Sequence, residues 1–242
     1  MRVPRAVVRA VARVKPHLPA SSLPVLDTLR SFAGDGPIVA TPSFRRVLAL
    51  AAHPDDEVVG CGGLLALLAA AGAEVHVCFA TDGEATIGAS MPPDEVARRR
   101  RAEAEASCRV LGAHPPRFLG HPDGALADHA TALADDVRRL VDELRPEVVL
   151  APWELDGHRD HRAVFAAVPA GVAVWGYETW TPLTPNRIVD VSAVFARKEQ
   201  ALACYETAHL AFDVGAMLAL NRYRSVHGLS GRGHAEAFLT RP

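Results

Sequence analysis

Six consecutive apolar residues, Val47 to Ala52, run directly into His53-Pro54-Asp55-Asp56-Glu57. A run with no polar alternate face suits a strand covered on both sides, which is the situation of strands in parallel sheets with helices on each face. The carboxyl end of that strand delivers His53, Asp55, Asp56 and Glu57 to the sheet edge where open α/β folds bind ligands. Three carboxylates crowded beside an imidazole repel one another unless a cation is present or one carboxyl keeps its proton. The cluster therefore predicts a metal, and a metal beside a spare carboxylate predicts chemistry.

The pattern continues in alternation. Strands are predicted at 47–52, 74–80, 116–120, 147–152, 171–178 and 186–192, and helices at 57–71, from an opening at Pro92, Pro93 and Asp94 to about Leu111, at 131–144, from about His161 onward and at 193–210. Gly72 and Gly112 stand where helix stops belong. Strands separated by helices imply right-handed crossovers. The fold class read from this is α/β: a single domain with a Rossmann-like, mostly parallel sheet and helices on both faces. That domain is expected to span residues 44–242. Residues 1–43 are read as an N-terminal basic amphipathic helix followed by a Ser-, Pro- and Gly-rich linker. Arg2, Arg5, Arg9 and Arg13 share one helical face and Val7, Val11 and Val14 the other, which offers a membrane-surface contact through residues 2–15, against the plainer reading of a surface helix packed on its own domain.

With 242 residues, 49% of them hydrophobic, the chain can bury a substantial core, and its formal net charge of −2 argues against nucleic acid as a partner. No apolar stretch approaches the roughly 20 residues of a membrane span. Cys61, Cys78, Cys108 and Cys204 lie far apart and form no CxxC pair, so they read as reduced thiols of a cytoplasmic protein, peripheral to the membrane at most.

A second cluster, His158-Arg159-Asp160-His161, again follows a buried strand. A catalytic zinc site needs three protein ligands and one open position. A His and an Asp from the first loop with one His of the second would complete that set, leaving a free carboxylate to take a proton from activated water. Either cluster alone could be a capping or salt-bridge group; two of them on strand ends of one sheet favour a metal.

AHPDDE followed about a hundred residues later by HRDH resembles the PIG-L (LmbE-like) family of metal-dependent N-acetylglucosaminyl de-N-acetylases, over roughly residues 45–240. Lesser matches are Thr81 to Glu84, Arg100 with Glu103, Leu119 to Gly124, and Ala235 to Phe238. The resemblance implies that His53, Asp56 and His161 bind the metal, Zn2+ or another divalent ion such as Fe2+. It makes Asp55 the general base, His158 an oxyanion stabiliser or acid, and Asp160 the residue that holds the His158 imidazole in its tautomer. Glu57 supports the shell, and Arg100 and Asp123 match positions that contact the sugar. The implied function is hydrolysis of the acetamide of an N-acetylglucosaminyl group in a glycoconjugate, glycolipid or natural product, with a small-molecule amino-sugar conjugate as partner.

The chain departs from the family at Asp156, where some thiol-pathway members carry a tyrosine, and in reading HRDH for the common HPDH. Arg159 is expected in an outward salt bridge. Among other residues, Glu178 and Trp180, with Trp175 and Tyr177, form either a sugar-stacking surface or a core-and-rim cluster. Glu178 and Trp180 are taken as substrate-binding. His121 sits beside Asp123 at the expected rim, His76 reads as a packed edge histidine, and the run Arg98 to Arg101 reads as a solvated face except at Arg100. Two rivals are a non-catalytic metal- or glycan-binding module and an amidase for a different N-acyl substrate. A nucleotide-binding Rossmann protein would need a glycine-rich turn where this chain has HPDDE.

Overall fold

In the computed structural model, which describes residues 37–86, 88–210 and 213–241, one eight-stranded sheet organises the chain. In chain order the elements are β1 (Ile38–Ala40), β2 (Arg46–Ala51), α1 (Asp56–Ala70), β3 (Glu74–Phe79), α2 (Pro93–Leu111), β4 (Arg117–Phe118) and α3 (Ala130–Leu144). There follow β5 (Val148–Pro152), α4 (Arg159–Ala167), β6 (Val174–Tyr177), β7 (Arg187–Asp190), α5 (Phe195–Leu202), α6 (Val214–Arg224) and β8 (Ala235–Arg241). The spatial order is β1-β7-β8-β6-β5-β2-β3-β4. All pairings are parallel except those of β8, which runs antiparallel to both β6 and β7.

The predicted mostly parallel α/β sheet is thus observed, and β2 explains it. Val47, Ala49 and Ala51 face a core shared with α1, α2 and α5, whereas Leu48, Leu50 and Ala52 face a second core shared with α3 and α4. Every one of these six side chains is buried. Each fully buried leucine contributes about 2 kcal/mol by leaving water, so neither face of β2 can be turned outward.

Several elements differ from the sequence reading. Ile38–Ala40, inside the stretch taken for linker, pairs with β7 as an edge strand. The helix expected over 193–210 ends at Leu202. The helix α6 and the strand β8 were not anticipated. The proposed amphipathic helix at residues 2–15 lies outside the described residues. None of the described helices is long and apolar enough to cross a membrane.

Buried charge joins β8 to the middle of α1. Glu236 accepts from Gly63 N at 2.7 Å and Leu64 N at 2.8 Å, while Lys198 Nζ donates to Val59 O at 2.8 Å and to Glu236 Oε1 at 2.7 Å. Neither side chain is exposed. The carboxylate reaches the Gly63 amide and the ammonium reaches the Val59 carbonyl, the two groups that a regular α-helix pairs with each other.

The two chemistry-bearing loops follow β2 and β5, which are neighbours in the sheet. From β2 the chain moves toward β3, and from β5 it moves toward β6 on the other side. The crevice between them is the topological switch point, where such sheets hold ligands.

Candidate metal centre and catalytic cavity

Asp55 introduces the site. It is the N-cap of α1 and has φ 127, a region that non-glycine residues rarely adopt. Strain of this kind costs about 1–3 kcal/mol and persists where surrounding contacts fix it. Here the Asp55 amide donates to Glu57 Oε2 at 3.2 Å, and Arg100 Nη2 donates to Asp55 Oδ2 at 2.9 Å and also to the Pro54 carbonyl.

Asp56 lies between two imidazoles: its Oδ2 is 3.4 Å from His53 Nδ1 and its Oδ1 is 3.2 Å from His161 Nε2. Two ligands held at about 2.1 Å by a tetrahedral ion stand about 3.4 Å apart. The hydrogen bonds of the remote ring nitrogens fix which nitrogen is bare. Thr179 spends its hydroxyl proton on Asp156 Oδ2 at 2.9 Å, so its oxygen, 2.7 Å from His161 Nδ1, accepts from that nitrogen. His161 Nε2 then carries a lone pair, and it is buried without a hydrogen-bond partner. His53 Nε2 is 3.0 Å from Asp123 Oδ1 and 3.5 Å from Asp160 Oδ2, which leaves His53 Nδ1 bare in the same way. Metal-binding histidines are oriented by such outer carboxylates. The donor set thus fits a divalent cation. Two overlapping groups also have ligand atoms within 4.8 Å of one another, His53 with His158 and His161, and His53 with Asp123 and Asp160.

The electrostatics follow from burial and these pairs. Burial pushes the Asp55 carboxyl up to about 6 against the pull of the Arg100 guanidinium. Burial acts on Asp56 in the same sense, but His161 and His53 outweigh it and hold Asp56 well below the usual carboxylate range. Burial pushes Glu57 up to about 8. Burial lowers the proton affinity of His161, yet with no cation beside it Asp56 and Asp156 raise it to about 9, so a cation at Nε2 would replace a proton there. His158 is lowered by burial, by His53 and by His161.

The other predicted residues divide. His158 lines the cavity, and its Nδ1 accepts from the Asp160 amide at 3.3 Å, leaving Nε2 as the protonated nitrogen. Asp160 does not hold that ring with its carboxylate. It accepts instead from Gly124 N at 2.7 Å and Leu126 N at 3.2 Å, pinning the HPDG turn, and faces His53. The i,i+2 spacing at a helix start brings the Asp160 amide, not its side chain, to His158. Arg100, Asp123 and Trp180 all line the cavity.

Glu178 does not reach the cavity. It is buried, accepts from Leu183 N at 2.8 Å and pairs with Arg224, whose guanidinium also donates to Leu183 O at 2.7 Å. Its carboxylate fastens the loop that carries Thr179 and Trp180. Trp175 packs between Phe44 and Phe238, so the core-and-rim reading holds for it and for buried Tyr177. His121 pairs with Asp136 at 2.9 Å, His76 stacks on His114, and Arg159 makes its salt bridge to Asp128.

Sequence reasoning missed four supporting residues. Asp156 accepts from His158 N at 2.9 Å and Thr181 N at 3.2 Å besides facing His161 at 3.0 Å. Thr179 completes that knot. Tyr205 donates to Glu57 Oε1 at 2.5 Å, and Glu84, of the TDGE stretch, accepts from Asp123 N at 2.8 Å. A buried acid after a strand end was the available signal for Asp156; nothing local marked Tyr205.

The chain is similar to known deacetylases in sequence and in fold. A family model described as GlcNAc-PI de-N-acetylase (PIG-L) matches residues 48–172. A diacetylchitobiose deacetylase of Thermococcus kodakarensis is 30% identical over 190 residues, covering 67% of this chain and 70% of that one. A 1D-myo-inositol 2-acetamido-2-deoxy-alpha-D-glucopyranoside deacetylase of Kineococcus radiotolerans is 41% identical over 87 residues, 33% of this chain and 24% of that protein's length. The solved N,N'-diacetylchitobiose deacetylase of Pyrococcus horikoshii superposes with a TM-score of 0.68 at 26% identity, covering 82% of this chain and 84% of that one.

Proposed function

The chain belongs to the PIG-L family of de-N-acetylases, and on that premise we propose that it is a metal-dependent hydrolase removing the acetyl group from an N-acetylglucosaminyl unit of a glycoconjugate, glycolipid or natural product. The observation that carries the proposal is the bare, buried His161 Nε2 facing Asp56, with Asp55 beside it on the same cavity. His53, Asp56 and His161 would hold the cation, with zinc favoured by the His/Asp donor set and Fe2+ as the alternative.

When bound, a divalent cation supplies Lewis acidity toward the acetamide carbonyl and lowers the pKa of water. Asp55 takes the proton of the attacking water and passes it to the departing amine nitrogen. Held by Arg100 on the cavity beside Asp56, this carboxylate is placed to do both. His158, kept neutral and with Nε2–H free, donates a hydrogen bond to the oxygen that gains charge as the carbonyl is attacked. Arg100 steadies Asp55, and Asp123 orients His53; both stand on the cavity wall where a sugar hydroxyl would also meet them. We assign Asp160 to positioning the HPDG turn. Four free cysteines, three of them buried, support a reducing, cytoplasmic setting.

The test is a screen of N-acetylglucosaminyl compounds with the metal-loaded protein and mass-spectrometric detection of acetyl loss. Release from at least one such compound is expected. Metal binding with no release from any of them would assign the site to another amide class.

A further inference from the structure

The cavity over the metal centre has a volume of about 460 Å³ and two unlike sets of lining residues. One set is His53, Asp55, Asp56, Arg100, Asp123 and His158. The other is Val59 of α1, Met217 of α6, Ala208, Ala85, Thr86 and Trp180. This second set is short of polar groups with capacity to spare. Thr86 Oγ1 donates to Gly83 O at 2.7 Å and accepts from Arg100 at 2.5 Å, and the Ala85 amide is committed to Asp123 at 3.0 Å. A second sugar ring laid there would lose hydration on most of its hydroxyls, with the Trp180 indole N–H the one ring donor in that set. An anion would fare no better. The only lysine or arginine among the described lining residues, Arg100, is 5% exposed, and its terminal nitrogens serve Asp55, Pro54 and Thr86. Asp55 and Asp123, carboxylates that the proposed cation does not take as ligands, stand on the same cavity and repel negative charge. Trp180, by contrast, is 52% exposed, a large aromatic surface at the mouth, and Leu210, two residues beyond Ala208, is 50% exposed. A tryptophan ring and an adaptable methionine lining one cavity are the materials of an apolar ligand site.

We infer that the substrate joins its N-acylated amino sugar to an uncharged apolar group, and that this group lies against Val59, Ala208, Met217 and Trp180. The inference rests on the amidase reading of the same site and narrows its substrate class. An apolar group can be carried in two places, on the anomeric oxygen or as the N-acyl chain itself.

The experiment uses the metal-loaded protein and four probes: methyl N-acetyl-β-D-glucosaminide, its hexyl counterpart, methyl N-hexanoyl-β-D-glucosaminide and N-acetylglucosamine 1-phosphate. Amine release is measured for each, and binding is measured separately by titration calorimetry. One buried methylene is worth about fourfold in affinity, so partial burial of a hexyl chain predicts a KM roughly tenfold below that of the methyl probe. W180A and M217A should each shrink that ratio. Preference for the hexyl glycoside places the apolar group on the anomeric oxygen, and preference for the hexanoyl amide places it on nitrogen; either result upholds the inference. Equal KM values for all neutral probes, or preference for the phosphate, overturn it. If no probe releases amine, the titration still decides. Tighter binding of a hexyl- or hexanoyl-bearing probe that W180A weakens upholds the apolar site while the amidase reading fails, and equal affinities overturn the apolar site as well.

Discussion

The carboxylate of Asp156 meets the imidazole of His161 at 3.0 Å with neither side chain exposed. The same carboxylate receives the His158 amide, the Thr179 hydroxyl and the Thr181 amide, so one side chain ties both histidines of HRDH to the loop at the cavity rim. Outer-shell partners of this kind are worth about 10–100-fold in metal affinity. D156A should weaken metal binding by that order, and T179V by less, measured by competition with a chromogenic chelator. Unchanged affinity in D156A would remove Asp156 from the metal site.

Asp55 and His161 should separate chemistry from binding. D55N is expected to keep its metal and lose about 10²–10⁴-fold in amide hydrolysis, the usual contribution of a positioned acid–base group. H161A is expected to lose metal, scored by elemental analysis after gel filtration. Treatment of the native protein with EDTA should abolish activity, and added Zn2+ should restore it. Near-native turnover in D55N would show that another group moves the proton.

The Glu178–Arg224 pair is predicted to act on stability rather than on substrate contact. R224M strands a buried carboxylate, a loss of about 3–5 kcal/mol, whereas replacing both partners with apolar residues costs far less. Urea unfolding of R224M, E178L and the R224M/E178L double variant measures this directly. If R224M unfolded at the native midpoint, the pair would be ornamental to the fold.

Gly60 tests how closely α1 must approach the sheet. A Cβ there would fall 2.0 Å from the Tyr177 ring, whose hydroxyl donates to Leu50 O at 2.7 Å. G60A should destabilise by about 1–3 kcal/mol or more through overpacking. Gly72 is a control of another kind: space around it is open, but its φ is +86, so G72A should cost about 1–2 kcal/mol from the backbone alone. Thermal midpoints of the two variants give the comparison.

How much of this was legible in the sequence depends on whether local pattern carried the information. The apolar run before HPDDE and the one before the HRDH loop do lie on adjacent parallel strands, because strands buried on both faces leave few other arrangements. His53, Asp56 and His161 converge for the same reason. Side-chain direction beyond a strand end was not legible. Glu178 follows aromatics as a sugar-binding acid would, yet it turns toward Arg224, which is 46 residues away in sequence. Asp160 is two residues from His158, but helix geometry sends its carboxylate to Gly124 and Leu126. The strand β8 escaped notice because Glu236 interrupts its apolar pattern, and only the tertiary structure supplies the Lys198 ammonium and the helix amides that make a buried glutamate tolerable.

That glutamate has a consequence for the order of assembly. The loop that carries Asp55 and Asp56 is made early in the domain, but the helix behind it receives two of its amide partners from a residue 173 and 172 positions later. Contacts of such long sequence separation form late, since the intervening chain must first be gathered in. A nascent or truncated chain lacking β8 would hold every proposed metal ligand and still leave Lys198 against that helix without its carboxylate partner. Competence to bind metal should therefore arrive only after the last strand has docked.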